Sequence, residues 1–134
     1  FIYYVGPVNA VRNEVIGPAG PTTASRMDQF MEMMLAELGV MGTIGKAERG
    51  ENAVQTIKKY QSVYLSAVGG AAYLVSKAIT SSKVVAFPEL GMEAIYEFEV
   101  KDMPVMVSID THGKSIYSEA PNRWKNKSIP LITT

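Results

Sequence analysis

The chain has no cysteine among its 134 residues, and His112 is its one histidine. Without thiolates it cannot by itself hold a cysteine-ligated iron–sulfur cluster or a structural zinc, and it has no disulfide framework. A single imidazole rules out a histidine-rich metal site, and nothing near His112 resembles a nucleophile for it to activate. Charge of either sign is balanced: the formal net charge is zero and only 19% of residues are charged. That argues against electrostatic capture of nucleic acid or of a membrane surface. No apolar run approaches membrane-spanning length and no signal peptide is visible, which leads to the expectation of a cytoplasmic protein. What remains is the composition of one globular domain with enough apolar residues for a core.

The patterning then reads as alternating strands and helices. Ile2-Tyr3-Tyr4-Val5 is β-rich and stopped by Gly6-Pro7. The chain starts at Phe1, already at this strand, so further residues are expected upstream. Asn13–Ile16 reads as a short second strand. From Thr23 to Leu38, Met27, Phe30, Met31, Met34, Leu35 and Leu38 share one helical face, with Gly39 as C-cap. Val40–Ile44 reads as a buried strand, Glu51–Lys59 as a helix, Ser62–Val68 as a strand and Ala71–Ile79 as a short helix. Val84–Phe87 is a further strand, and Ala94–Val100 alternates with period two. Val105–Asp110 is expected to pair through Thr111-His112-Gly113-Lys114 with Ser115–Tyr117 as a hairpin, Asp110 and His112 shaping its turn. This makes a domain over residues 1–118 and a loose polar tail over 119–134. Strand–helix repeats imply parallel strands, with the loops after them on the edge where ligands bind.

Chemistry concentrates in Gly17-Pro18-Ala19-Gly20-Pro21-Thr22-Thr23-Ala24-Ser25-Arg26-Met27-Asp28. A Gly/Pro-rich loop delivers two hydroxyls and a guanidinium to the start of a helix, where a cation opposes the helix dipole unless an anion joins it. An anion site follows, for a carboxylate or a phosphate. The plain alternative is that Thr22 or Thr23 only caps the helix and Arg26 points to solvent. Lys46 follows a strand and a glycine and supplies a second cation. Two cations with two hydroxyls suit a small dicarboxylate better than a nucleotide, and Gly45-Lys46 lacks the spacing of a phosphate-binding P-loop. Gly69-Gly70-Ala71-Ala72 is read as close packing of helix on strand in preference to an anion cradle. Glu89 and Glu93 are open as acid/base groups or as anchors.

The stretch Gly20-Pro21-Thr22-Thr23-Ala24-Ser25-Arg26-Met27-Asp28 resembles the Gly-Pro-Thr-Thr-Ala-Gly-Arg-Met-Asp signature of class I fumarases and L(+)-tartrate dehydratases, in their C-terminal domain or β subunit. Ser25 departs from the signature glycine. Tyr3-Tyr4-Val5-Gly6-Pro7, Ile44-Gly45-Lys46, Val68-Gly69-Gly70-Ala71-Ala72, Pro88-Glu89-Leu90-Gly91-Met92-Glu93-Ala94-Ile95 and Asp110-Thr111-His112-Gly113-Lys114-Ser115 agree in the same order. The resemblance implies a swivelling β/β/α three-layer α/β domain, with a parallel central sheet and a smaller antiparallel sheet. It implies reversible hydration of fumarate to L-malate, or dehydration of tartrate, in a hetero- or homo-oligomer. A 4Fe-4S cluster would be held by the cysteines of a partner α subunit or N-terminal-type domain, with none bound by this chain. Carried over by position, Thr22 is the proton-transfer group, and Thr23, Arg26 and Lys46 hold the substrate. A non-catalytic dicarboxylate-binding swivelling domain is the alternative from another class. The family's domain also carries an earlier strand and helix with another substrate-binding arginine, which neither Arg12 nor Arg49 matches.

Overall fold

The computed structural model describes residues 1–125. Its elements run β1 (Ile2–Tyr3), a 3₁₀ segment (Ala24–Phe30), α1 (Met31–Ala36), β2 (Gly42–Gly45), α2 (Glu51–Lys59), β3 (Val63–Ser66), a 3₁₀ turn (Gly69–Ala71), α3 (Ala72–Lys77), β4 (Ile79–Ala86), a 3₁₀ segment (Pro88–Glu93), β5 (Ile95–Val100), β6 (Met106–Ile109) and α4 (Ile116–Lys125). A four-stranded sheet has the order β1-β2-β3-β6, and a two-stranded sheet pairs β4 with β5. β1, β2 and β3 are mutually parallel, as the strand–helix alternation predicts, whereas β6 joins β3 antiparallel. The expected fold class, α/β with a mainly parallel sheet and a smaller antiparallel one, is what forms.

α2 shows why local sequence suffices for some elements. Glu51 lies in its first turn and Lys58 and Lys59 in its last, each matching the helix dipole. Gln55 donates to Glu51 at 2.7 Å one turn away, and Ala53 and Ile57, also one turn apart, are buried. The main core gathers Tyr4, Ala24, Met31, Met34, Leu35, Ala53, Ile57, Tyr64 and Ile109 between the four-stranded sheet and helices α1 and α2.

The long helix expected over Thr23–Leu38 is instead a 3₁₀ segment followed by a short α-helix. At three residues per turn the early apolar positions drift off the α-helical face. Met31, Met34 and Leu35 stay buried, while Phe30 and Leu38 are exposed. Gly39 does close this region, with φ +64, and the Val40 N–H returns to the Met34 carbonyl at 3.1 Å. Asn13–Ile16 is not a strand. It lies in a loop closed by Val8 N–H to Pro18 carbonyl and Gly17 N–H to Val8 carbonyl.

The third strand–helix unit also departs from the parallel pattern. β4 begins at Ile79, earlier than the apolar run Val84–Phe87 suggests, and leaves the main sheet to pair antiparallel with β5. Thr80, Ser81 and Lys83 unfit it for burial on both faces. In a ribbon they meet solvent, and Lys83 sits opposite Glu97. The inner face of this ribbon presents Tyr96 and Phe98, rings 5.7 Å apart, to Ile16, Ala19 and Ile79.

The expected hairpin after β6 is a turn and then a helix. One bridge joins Ile109 to Ser115, and α4 follows at once. Asp110 does shape the turn: one carboxylate oxygen accepts the N–H groups of His112 and Lys114, both at 2.9 Å. The Lys114 amide above all, with that of His112, holds the Asp110 carboxyl below its ordinary pKa. The Ser115 hydroxyl accepts the Tyr117 N–H at 3.3 Å, which starts a helix where a second strand was expected. The expected tail from Glu119 is therefore helical through Lys125. The rest of that stretch, residues 126–134, lies outside the described residues.

Candidate active site

Three loops meet beyond the C-terminal ends of β2 and β3, the edge where a parallel sheet binds its ligands. The first carries Thr22 and Thr23. It is threaded between strands by main-chain bonds: Thr22 N–H to Tyr4 carbonyl at 2.8 Å, Lys46 N–H to Thr22 carbonyl at 3.0 Å, and Ala24 N–H to Lys46 carbonyl at 3.1 Å. Thr23 and Lys46 thereby form a parallel bridge. The second loop, after β2, carries Lys46. Its aliphatic stem lies over the third loop, since a Cβ on Gly69 would sit 3.5 Å from the Lys46 Cδ. The fold thus brings Thr22, Thr23 and Lys46 together. Arg26 lies on the exposed side of the 3₁₀ segment, and no hydrogen bond or ion pair joins its side chain to theirs.

Gly45 makes this approach possible. A Cβ there would lie 2.9 Å from the Ala24 Cβ, 3.2 Å from the Tyr4 ring and 3.3 Å from the Thr22 carbonyl. The Thr22–Ala24 segment packs directly on the strand's backbone, and Ala24 is fully buried. Gly45→Ala is expected to cost about 1–3 kcal/mol, the usual range for overpacking a tight contact. Urea denaturation measures the loss, and an unchanged midpoint would mean that the segment does not rest on Gly45.

The structure changes two readings of this corner. Thr23 stands at the N-cap of the 3₁₀ segment but makes no side-chain cap bond. Capping therefore does not account for the paired threonines. Gly69 and Gly70 are not packing glycines either. Both are exposed, and a Cβ on Gly70 would meet nothing within 4 Å. Among the described residues, none of the side chains of Thr22, Thr23, Arg26 and Lys46 has a hydrogen-bond or ion-pair partner. Thr22 and Thr23 are half-buried; Arg26 and Lys46 are exposed. The hydroxyls and the Lys46 ammonium offer donors to an anionic group at this corner, with the Arg26 guanidinium on the exposed side of the next segment as a further charge-assisted donor.

Glu89 and Glu93 lie on the exposed 3₁₀ segment after β4, and His112 is exposed in the turn after β6. A cleft of about 680 Å³ beside the start of α2 is lined by Glu48, Glu51, Val54, Gln55, Gly113 and Ser118 among others, and by none of the four candidate residues.

Sequence reasoning passed over Arg49. Its side chain is fully buried and paired with Asp28, Nε to Oδ1 at 2.5 Å. Nη1 donates to the Thr43 hydroxyl at 3.2 Å. The guanidinium lies 5.6 Å from the Tyr4 ring centroid and 5.0 Å from that of Tyr64. Burial raises the pKa of both phenols, that of Tyr64 to about 12, with Arg49 partly opposing the shift. Nothing in Gly45-Lys46-Ala47-Glu48-Arg49-Gly50 distinguishes Arg49 from its solvated neighbours. Asp28 closes the signature stretch, but the spacing assigns it no partner.

The family described as Fumarase C-terminus matches residues 1–120. The aerobic class I fumarate hydratase of Escherichia coli K12 is 38% identical over 119 residues, which is 88% of this chain and 22% of that protein. Fumarate hydratase 2 of Leishmania major is 37% identical over 119 residues, 88% of this chain and 21% of that protein. A protein named putative L(+)-tartrate dehydratase subunit beta, from Methanocaldococcus jannaschii, is 35% identical over 136 residues, 98% of this chain and 70% of its own length. The chain thus spans about a fifth of the length of the fumarate hydratases it matches.

Proposed function

Because this chain belongs to the fumarase C-terminus family, we propose that it forms one wall of a hydro-lyase site that hydrates fumarate to L-malate, reversibly, in the cytoplasm. The observation that carries the reading is the Thr23–Lys46 bridge. It fixes the backbone of the Thr22–Thr23 segment against that of Lys46 at the ligand edge of a parallel sheet, and the side chains of all three are without partners among the described residues. In this reading Lys46, Arg26 and the Thr23 hydroxyl hold the substrate's carboxylates. Thr22 Oγ1 moves the proton at the substrate's C3: it takes the proton in dehydration and returns it in hydration.

A threonine hydroxyl is a weak base, because its proton leaves only far above neutral pH. The oxyanion needs adjacent positive charge, and Lys46, on the segment bonded to the Thr22 main chain, is the cation assigned to supply it. The dipole of the following segment adds less than a long α-helix would. That segment is a seven-residue 3₁₀ stretch, and its first N–H, that of Ala24, is taken by the Lys46 carbonyl.

The 4Fe-4S cluster that the resemblance implies does not fit this chain's donors. The chain has no cysteine, and among the described residues no group of three or more His, Cys, Asp or Glu could hold a metal ion. We assign the cluster to a cysteine-bearing α subunit or N-terminal-type domain. Two observations support a site completed by a partner. The two candidate cations, Arg26 and Lys46, are exposed, and the exposed apolar side chains of Val68, Tyr73 and Leu74 flank the glycine turn beside Lys46. The substrate alternative is L(+)-tartrate, supported by the relative that is named a separate β subunit and is covered over 70% of its length.

Reconstitution tests this reading. The purified chain alone is expected to show no hydratase activity. Adding a cluster-loaded, cysteine-bearing partner is expected to produce fumarate hydration, followed by the loss of fumarate absorbance. Turnover by the chain alone under chelator would sink the shared-site reading. No turnover of fumarate or tartrate with the partner present would leave a non-catalytic dicarboxylate-binding domain.

A further inference from the structure

We propose that Arg49 and Asp28 are positioning residues, whose ion pair sets how the segment carrying Thr22 and Thr23 sits against the loop carrying Lys46. The reaction they serve rests on the hydro-lyase reading, while the clamp itself rests on geometry. Asp28 belongs to the 3₁₀ segment that carries Arg26 and follows the two threonines. Arg49 belongs to the loop that carries Lys46. One carboxylate ties the two: Oδ1 takes the Arg49 Nε–H at 2.5 Å and Oδ2 takes the Gly50 N–H at 2.7 Å.

The guanidinium is itself held from the sheet. Thr43 of β2 accepts from Nη1, and the rings of Tyr4, which follows β1, and Tyr64 of β3 lie against it. The Tyr64 hydroxyl then donates to the Ala47 carbonyl at 2.9 Å. Ala47 has φ +66, a conformation that a non-glycine residue holds only when its surroundings impose it. The chain makes that turn directly after Lys46.

Stability alone does not call for this arrangement. A buried ion pair recovers little more than its desolvation cost, and apolar residues of similar volume often serve a core as well or better. Arg49 Nη2, moreover, is buried with no hydrogen-bond partner. What a guanidinium offers is a rigid fork with fixed directions, which lysine lacks. A fork between Asp28 and Thr43 orients one loop against the other.

The test uses the full protein assembled with its partner, in two variants. Asp28→Asn with Arg49→Met removes both charges and keeps the volume; Arg49→Lys keeps the charge and loses the fork. Three quantities are read: thermal midpoint, kcat and KM, and hydrogen exchange at the Ala24 and Lys46 amides, which bond across the two loops. The double variant is expected to keep its thermal midpoint within a few degrees. Its exchange at these amides should rise at least about 10-fold relative to α2, and kcat should fall about 100-fold, the scale of an ångström of misplacement, with KM little changed. Arg49→Lys should show the same losses. Wild-type protection and kcat in either folded variant would overturn the proposal. If the wild-type assembly hydrates neither fumarate nor tartrate, the hydro-lyase reading fails. The exchange ratio then decides the clamp alone: accelerated exchange supports it, and unchanged exchange overturns it.

Discussion

Thr22→Val is expected to cut turnover by roughly 10²–10⁴-fold, the usual share of proton-transfer catalysis, and to leave substrate affinity nearly unchanged. Valine keeps the β-branched shape, so the Thr22 main-chain bonds to Tyr4 and Lys46 survive and only the hydroxyl is lost. Thr23→Val provides the contrast. As a binding group Thr23 should raise KM and spare kcat. Its side chain makes no cap bond, so the variant should also keep wild-type stability. The sharper assay is solvent exchange of the substrate's C3 proton, because it isolates the step assigned to Thr22. Exchange at the wild-type rate in Thr22→Val would remove Thr22 from the mechanism, and a reversed pattern between the two variants would transpose their roles.

Arg26→Ala is expected to weaken dicarboxylate binding in the assembled enzyme by about 1.5–3 kcal/mol, the range for a hydrogen bond to a charged group. That corresponds to roughly 10- to 150-fold in Kd. Folding should be nearly unaffected, since Arg26 is exposed and has no partner among the described residues. Calorimetric titration with fumarate and a thermal melt of the same variant separate the two effects. Retained affinity with a lowered melting point would make Arg26 structural.

How much of this was legible along the chain differs element by element. α2 was readable from Glu51 to Lys59 because its acidic start, basic end and buried residues one turn apart all lie within one short window. The α1 region was half-readable. Met31, Met34 and Leu35 follow the helical face, but the preceding segment is 3₁₀, and its first N–H, that of Ala24, bonds to the Lys46 carbonyl of another loop. The helix after Ser115 was missed because a β-branched residue and a tyrosine after a tight turn look like a strand. The Ser115 hydroxyl accepts the Tyr117 N–H instead, and the chain turns into a helix after a single bridge to Ile109.

The candidate site divides along the same line. Thr22, Thr23, Arg26 and Lys46 were nameable because reactive groups at a glycine-rich loop and after a strand end are local patterns, and the signature stretch places them in one family. That the Thr22–Thr23 backbone is bonded to that of Lys46, while Arg26 lies on the exposed side of the next segment, is a matter of tertiary registration. Arg49 and Asp28 carry no signal of their own in the chain. An arginine in a charged loop looks solvated until folding removes its water and leaves one carboxylate, one hydroxyl and two rings within reach. Desolvation is a property of everything packed around a group, so only the folded chain could show which of its charges are buried.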